Sequence, residues 1–360
     1  MVYRAIGLMS GSSLDGLDIV FAEFLENGGN WQFEIRNAAC YGYPEEWKEK
    51  LEKAITLPAK EYQLLHAAYG HYLGQQVNTF IQEHQLHYQV ALIASHGHTT
   101  FHLPPKMTAQ LGDGAALAAE TGLPVVNELR ALDVALGGQG APIVPLGEKL
   151  LLGGYPFFLN IGGIANISVN QGNYTAFDVC PANRVLNMLS NERGEAYDKD
   201  GAGAAAGTVN EALLERLNGL DYYKQGPPKS LANDFGTDLV YPLIKSADIS
   251  IPDALCTYTE HIAGQIRNAL QPWQQSTPQK LLVTGGGAFN QFLIGRLATH
   301  LKELNIEPVV PDENLVKYKE ALIMALLGVL RWREENTVIS SVTGASYSSC
   351  GGALWMGQQS

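Results

Sequence analysis

Two stretches of this chain follow the same plan of apolar runs separated by small and polar turns. In the first, Ile6, Leu8 and Met9 predict a buried strand. Leu17, Ile19, Val20, Phe21, Ala22 and Phe24 predict the next, with a loop over residues 10–16 between them. An Asn27-Gly28-Gly29-Asn30 turn then leads into a third strand over residues 31–40. The second stretch predicts strands over residues 157–161, 164–169 and 174–178, joined by a Gly162-Gly163 turn and an Asn170-Gln171-Gly172-Asn173 turn. A repeated strand, turn, strand, turn, strand unit predicts two similar lobes, and a nucleotide held between them would explain why both first turns carry glycine.

Between and after these stretches the periodicity changes. Pro44 opens an amphipathic helix, and a longer helix over residues 61–84 places Leu64, Leu65, Tyr69, Leu73 and Val77 on its apolar side. A short apolar strand, residues 90–94, delivers the polar segment SHGHTTFHLPP, read as extended, at the strand end where open α/β sheets place ligands. A loop at residues 111–114, a helix through Glu120 and a strand over residues 123–126 follow. At Asn127 the character shifts to NELRALDVALGGQGAPIVP, read as the crossing between domains. Residues 281–284 then run as a strand into Gly285-Gly286-Gly287-Ala288-Phe289-Asn290 and a helix over residues 291–304. This is not GxGxxG, so a shelf for an adenosine fits better than a Rossmann dinucleotide site. A helix apolar on most faces is expected over residues 320–335, before SVTGAS and a tail, GGALWMG, that returns to pack on a lobe. The expected division is 1–127 plus 342–360, and 128–341.

The chemistry of the first loop goes beyond that of a plain hairpin turn. Gly11 and Gly16 free the backbone to turn N–H groups toward one point, and Ser10, Ser12 and Ser13 add hydroxyls, so residues 11–18 read as a phosphate cradle. Leu14 and Leu17 belong to the same cradle, while Asp15 and Asp18 offer hard oxygen ligands to a Mg²⁺ ion on the phosphates. A Gly/Ser turn without a ligand is the competing reading.

Composition narrows the partners. The chain has 360 residues, 46% of them hydrophobic, which suits about two domains at ~100–200 residues each. A net charge of −12 with no Lys/Arg cluster argues against nucleic acid or an anionic membrane as the main partner. No secretory signal is evident and no apolar run approaches the ~18 residues of a membrane span, so a cytoplasmic protein is expected. Its four cysteines form no CxxC pair, which fits reduced thiols and gives no zinc signal.

Seven motifs in order resemble the anhydro-N-acetylmuramic acid kinase family: GSSLDGLD (residues 11–18), LGGQGAPIVP (136–145), LNIGGIANIS (159–168), YDKDG (197–201), PKS (228–230), GGG (285–287) and SVTGAS (341–346). The resemblance implies an α/β fold of two RNase H-like lobes, actin/hexokinase/Hsp70-like, around a central ATP cleft. It implies conversion of 1,6-anhydro-N-acetylmuramic acid, ATP and water to N-acetylmuramic acid 6-phosphate and ADP, in cell-wall recycling, with ATP and Mg²⁺ as cofactors. Asp178 is then the base that activates water, and Arg130, Glu320 and His96 face the sugar. Gly162, Gly163, Asn166, Gly285, Gly286, Gly287 and Asn290 join the loop in holding nucleotide. A homodimer is left open.

The sequence departs from the family in places. Asp178-Val179-Cys180-Pro181-Ala182-Asn183 stands where the family reads Asp-Thr-Gly-Pro-Gly-Asn. His98 replaces Gln, Glu128 replaces Asp, and Leu231-Ala232-Asn233 replaces Thr-Gly-Arg. Lys317 and Tyr318 replace acidic residues before Glu320. Without the resemblance, Asp178 reads as a turn cap and Glu320 as a helix start. The competing functions are a nucleotide- or sugar-binding regulator on the same scaffold, a kinase for another sugar, and a metal-dependent carbamoyl-adenosine-forming enzyme suggested by the HxxxH spacing of His98 and His102.

Overall fold

The computed structural model describes residues 1–11, 14–227, 229–232 and 234–357. The chain packs as two units, Met1–Leu152 with Tyr318–Ser360, and Gly153–Lys317. In the first unit β1 (Val2–Ser10), β2 (Leu17–Asn27) and β3 (Asn30–Tyr41) form an antiparallel meander. β4 (Leu92–Ser95) lies parallel to β1. The polar segment after it is not a single extended run: β5 (His98–Leu103) and β6 (Met107–Leu111) make a small separate hairpin. Gly97 permits this exit from β4, because it has φ +71° and a Cβ there would sit 2.4 Å from the Leu111 carbonyl oxygen. β7 (Val125–Asn127) completes the parallel part beside β4.

The second unit repeats the plan. β8 (Phe157–Ile161), β9 (Ile164–Val169) and β10 (Thr175–Pro181) form the meander, and β11 (Gln279–Thr284) and β12 (Ile306–Val309) add parallel strands beside β8. The order β10-β9-β8-β11-β12 matches β3-β2-β1-β4-β7. Each unit is therefore RNase H-like, and the duplicated pattern is that of the actin/hexokinase/Hsp70-like fold. The tail returns as expected: β13 (Ala353–Trp355) pairs antiparallel with β7, and the Trp355 indole N–H donates to Asn127 Oδ1 at 3.0 Å. β10 runs past its expected end at Asp178 to Pro181 because a bulge between Asp178 and Cys180 admits an extra residue without ending the ladder.

Helices cover the sheets where apolar stripes predict them. The helix Ala59–Glu83 buries Leu65, Tyr69, Leu73, Val77 and Phe80. Leu64, expected on that face, is exposed, since one helical step of about 100° turns it away from Leu65 toward solvent. The apolar helix near the C-terminus begins at Glu313 rather than near residue 320 and runs to Trp332. Asp312 Oδ1 accepts the Leu315 N–H at 3.1 Å, and Lys317 pairs with Glu313 one turn back, so charged residues build its first turns. Glu320 is thus two turns inside a helix and not at its start.

That helix lies with its backbone against the first sheet. A Cβ on Gly7 of β1 would sit 1.9 Å from the Ala321 carbonyl oxygen and 2.7 Å from the Ala325 nitrogen. A Cβ on Gly328 would meet Ala94 Cβ of β4 at 2.5 Å. Gly7→Ala should therefore force the helix off the strand and destabilise the protein by about 1–3 kcal/mol, as overpacked cores do. Urea unfolding of the variant checks this, and an unchanged midpoint would refute the close approach.

Residues 128–152, expected to open the second lobe, pack with the first. The buried Asp133 carboxylate accepts the Gly140 N–H and the Thr343 hydroxyl, both at 2.7 Å. Lys319 donates to Glu148 at 2.6 Å, with both side chains buried. These bonds tie the segment to the C-terminal part of the chain, so the packing division falls at Leu152 instead of Asn127. No helix among the described residues is long and apolar enough to cross a membrane.

Candidate active site

The loop after β1 combines strain, glycine and carboxylates. Ser12 and Ser13 lie outside the described residues. Leu14 is buried with φ +56°, a region costly for a branched side chain, and its N–H reaches the Gly11 carbonyl at 3.4 Å. Gly16 has a packing reason of its own, because a Cβ would lie 2.7 Å from both Cys40 Sγ and the Tyr41 carbonyl oxygen of β3. Asp18 stands directly opposite Met9 on β1 and Cys40 on β3. Burial pushes its carboxyl up to about 6, against a hydrogen bond with Cys40, and the negative charges of Glu320 and Asp15 add to the rise. Asp15 is exposed.

Arg130, His96 and Glu320 come together in the same unit. Arg130 Nε donates to His96 Nε2 at 2.9 Å and Nη1 donates to the Gly140 carbonyl at 2.7 Å. His96 Nε2 must then be bare, so Nδ1 carries the proton and donates to the Gly97 carbonyl at 2.9 Å. Burial, then the Arg130 charge, depresses His96 to about 3, which keeps it a neutral acceptor at physiological pH. Burial lowers Arg130 to about 10, opposed by Glu320, so the guanidinium stays charged. Glu320 is raised by burial and by Glu148, while Lys319 and Arg130 pull it back. Both ring nitrogens of His96 are thus engaged within the protein, and Arg130 Nη2 has no hydrogen-bond partner among the described residues.

In the second unit, strand register assembles a polar row. Thr284 on β11 faces Asn160 on β8, Asn160 faces Asn166 on β9, and Asn166 faces Asp178 on β10. Directly opposed residues share a face of a sheet, so four polar side chains line up at the C-terminal end of β8 and β11. Asp178 is fixed there by groups far away in sequence. Its Oδ2 accepts the Leu231 N–H at 2.9 Å, its own N–H donates to the Lys229 carbonyl at 3.1 Å, and its carbonyl accepts the Tyr222 hydroxyl at 2.7 Å. Lys229 Nζ lies 4.3 Å from the centre of the Tyr222 ring, which secures the segment. Burial raises the Asp178 carboxyl above the usual range, partly offset by the Leu231 N–H. Pro228 and Asn233, in the same segment, lie outside the described residues.

The glycines of this unit fall into two kinds. Gly285 has φ +82°, and a Cβ on Gly287 would sit 2.3 Å from Ile161 Cγ2, so packing on β8 dictates both. A Cβ on Gly162, Gly163 or Gly286 would meet nothing closer than 3.5 Å. The folded chain gives no packing reason for glycine at those three positions, whereas a ligand lying against the backbone would. Gly162 and Gly163 also offer carbonyls to the N–H groups of Asn183 and Ala182, at 3.0 and 2.8 Å, which sets the start of the helix Asn183–Asn191. Asn290 caps the helix Gln291–Leu301 through Oδ1, 2.9 Å from the Leu293 nitrogen, leaving its amide N–H groups for other partners.

Sequence reasoning did not find Tyr222, Lys229 and Leu231 as partners of Asp178, nor the hydroxyl chain behind Ser10 taken up below. His98 and His102 share no metal environment: His98 bonds to Ser10, His102 to Thr108, and no cluster of three or more His, Cys, Asp or Glu that could hold a metal exists among the described residues.

A model of the anhydro-N-acetylmuramic acid kinase family matches residues 3–357. The anhydro-N-acetylmuramic acid kinase of Aliivibrio fischeri is 35% identical over 97% of this chain and 98% of that protein. The enzyme of the same name from Synechococcus elongatus is 33% identical over 95% of this chain and 97% of its own length. Among solved structures, the activator of 2-hydroxyisocaproyl-CoA dehydratase from Clostridium difficile aligns over 90% of this chain and 93% of its own, at 16% identity and a TM-score of 0.42.

Proposed function

This chain belongs to the anhydro-N-acetylmuramic acid kinase family, and from that premise we propose how its residues divide the work of an ATP-dependent kinase acting on 1,6-anhydro-N-acetylmuramic acid. The reaction opens the 1,6-anhydro bridge with water and transfers the γ-phosphoryl group of ATP to O6. Water must attack C1 on the face opposite the bridging oxygen, which needs one base, as in an inverting glycosidase. The departing O6 is itself the nucleophile toward phosphorus, so the remaining task is alignment and neutralisation of phosphate charge.

Asp178 is the base in this reading. The observation that carries it is the asymmetry of its carboxylate: Oδ2 is tied to the Leu231 N–H, while Oδ1 has no partner among the described residues and is available for a water proton. Arg130, held by His96 and Gly140 through Nε and Nη1, presents Nη2 to the lactyl carboxylate of the sugar. His96 thus acts through Arg130, and Glu320 shares the sugar side. The open backbone at Gly162, Gly163 and Gly286, with Asn166 and Asn290, suits nucleotide. The departures at Val179 and Cys180 support an unchanged sugar, since these side chains are only 2% and 0% exposed and belong to the core.

Mg²⁺ fits the first loop. Asp18 sits where negative charge is already crowded by Asp15 and Glu320, a situation a divalent cation relieves, and water and phosphate oxygens would complete its shell. When bound, the ion neutralises phosphate charge. Because burial pushes the Asp18 carboxyl up to about 6 and only its ionised form ligates, Mg²⁺ affinity with a non-hydrolysable ATP analogue should fall about tenfold per unit below pH 6. Calorimetric titration checks this, and a flat profile between pH 5 and 7 would remove Asp18 from the metal site. The reaction itself is tested by following ADP release with and without the anhydro-sugar in ¹⁸O-water. Sugar-dependent ADP with one ¹⁸O at C1 of the product is expected, and sugar-independent hydrolysis would overturn the reading.

A further inference from the structure

A chain of buried hydroxyls stands behind the first loop. Tyr69 and Tyr43 share a hydrogen bond of 2.6 Å, the Tyr43 hydroxyl donates to Ser10 Oγ at 2.8 Å, and Ser10 Oγ lies 3.1 Å from His98 Nδ1. Each hydroxyl has one proton, and that count fixes the direction of the chain. Tyr43 spends its proton on Ser10, so Tyr69 donates to Tyr43. Ser10 is 4% exposed, and the acceptors near its hydroxyl among the described residues are His98 Nδ1, at 3.1 Å, and the Tyr69 oxygen, which already takes part in the bond to Tyr43. With His98 Nδ1 bare, Tyr69, Tyr43 and Ser10 form one unbroken run of donors ending on the ring, and every buried proton in it has an acceptor. In that arrangement His98 Nδ1 accepts and the single proton of the neutral ring is on Nε2.

Nε2 has no partner in the protein among the described residues, although the side chain as a whole is only 7% exposed. His98 opens β5, directly after His96 and Gly97, and Ser10 ends β1 directly before the cradle. The ring is thus packed between the loop that receives phosphate and the histidine that holds Arg130. We propose that His98 is a substrate-binding residue whose Nε2–H donates to an oxygen of a bound substrate, and that the Tyr69-Tyr43-Ser10 chain sets the ring in the tautomer this requires. The inference rests on the kinase reading for the identity of the substrates. The acceptor is an oxygen of either the sugar or the terminal phosphate of ATP. Gln, which the family has at this position, also offers a side-chain N–H donor.

The test has a part that does not depend on turnover. In the wild-type protein, ¹⁵N NMR of the His98 ring should show a protonated Nε2 and a bare Nδ1. Titration with anhydro-sugar or with the Mg·ATP analogue should move the Nε2 signal for one of them, which identifies the oxygen. A proton on Nδ1, or an Nε2 signal that neither ligand moves, overturns the proposal even if the kinase reading stands. Kinetics supply the second part. His98→Gln should stay within about threefold of wild type in kcat/KM for the ligand identified, and His98→Leu should lose about ten- to a hundredfold. Equal losses in both variants would make His98 structural and overturn the proposal. Absence of sugar-dependent turnover in wild type would instead count against the kinase reading.

Discussion

Asp178→Asn should lower turnover by about 10²–10⁴-fold, the effect typical of losing a general base, while the protein still folds and binds both substrates. The amide can accept the Leu231 N–H through its oxygen, and the bonds to the Lys229 carbonyl and the Tyr222 hydroxyl use only the backbone of residue 178, so position is kept and only proton acceptance is lost. With Asp178 as the proposed base, the same residue should set the acid side of the rate profile. Burial raises its carboxyl, and the base works only when ionised, so turnover should begin to fall with decreasing pH above the ordinary aspartate range. Stopped assays across pH, with calorimetry for both substrates, separate rate from binding. A variant that keeps most of its rate would show that water is activated elsewhere, with Glu320 the next candidate.

Glu148→Gln should cost about 3–5 kcal/mol of stability. The Lys319 to Glu148 pair at 2.6 Å has side chains 5% and 2% exposed, and removing one charge leaves the other in a medium that solvates it poorly. Glu320, next along the helix, compensates part of that charge, which places the expected value toward the lower end. Its own carboxyl should shift down, since the charge of Glu148 is among the influences that raise it. Replacing both partners with methionine should recover most of the loss, because an apolar pair of similar volume carries no desolvation cost. Urea unfolding of the single and double variants decides this. Equal destabilisation in both would assign the effect to packing and not to charge.

The meanders were readable because their strands are apolar on buried faces and their turns carry Asn and Gly, and the repeat of that plan gave the two-lobed architecture. The β5–β6 hairpin was not readable. HTTFHL and MTAQL hold few apolar residues, and most of those positions remain partly or fully exposed, so no periodicity marks them. The start of the helix at Glu313 was hidden by charged residues that stabilise a first turn without facing a core. The same distinction runs through the site. Asp178, Arg130 and the first loop could be singled out from local residue type and resemblance. What holds them could not, because Leu231 is 53 residues from Asp178, His96 is 34 from Arg130 and His98 is 88 from Ser10. Such partners follow from tertiary packing, which local propensity does not encode.

The bulge between Asp178 and Cys180 bears on how this sequence has drifted. Ahead of it, Asp178 is held by residues 222, 229 and 231 and faces Asn166. Beyond it, Cys180 and Pro181 pair with Ala165 and Ile164, and the Pro181 carbonyl accepts the Tyr258 hydroxyl at 2.8 Å. The extra residue lets each half of the strand keep its own anchors, so a volume change on one side need not twist the other. Val179, Cys180 and Ala182, where the chain leaves the family's Thr-Gly-Pro-Gly, are buried, so substitutions there answer to core fit. The orientation of the Asp178 carboxylate is set separately, by the backbone of a distant segment, so a change in the second half of this strand leaves it in place.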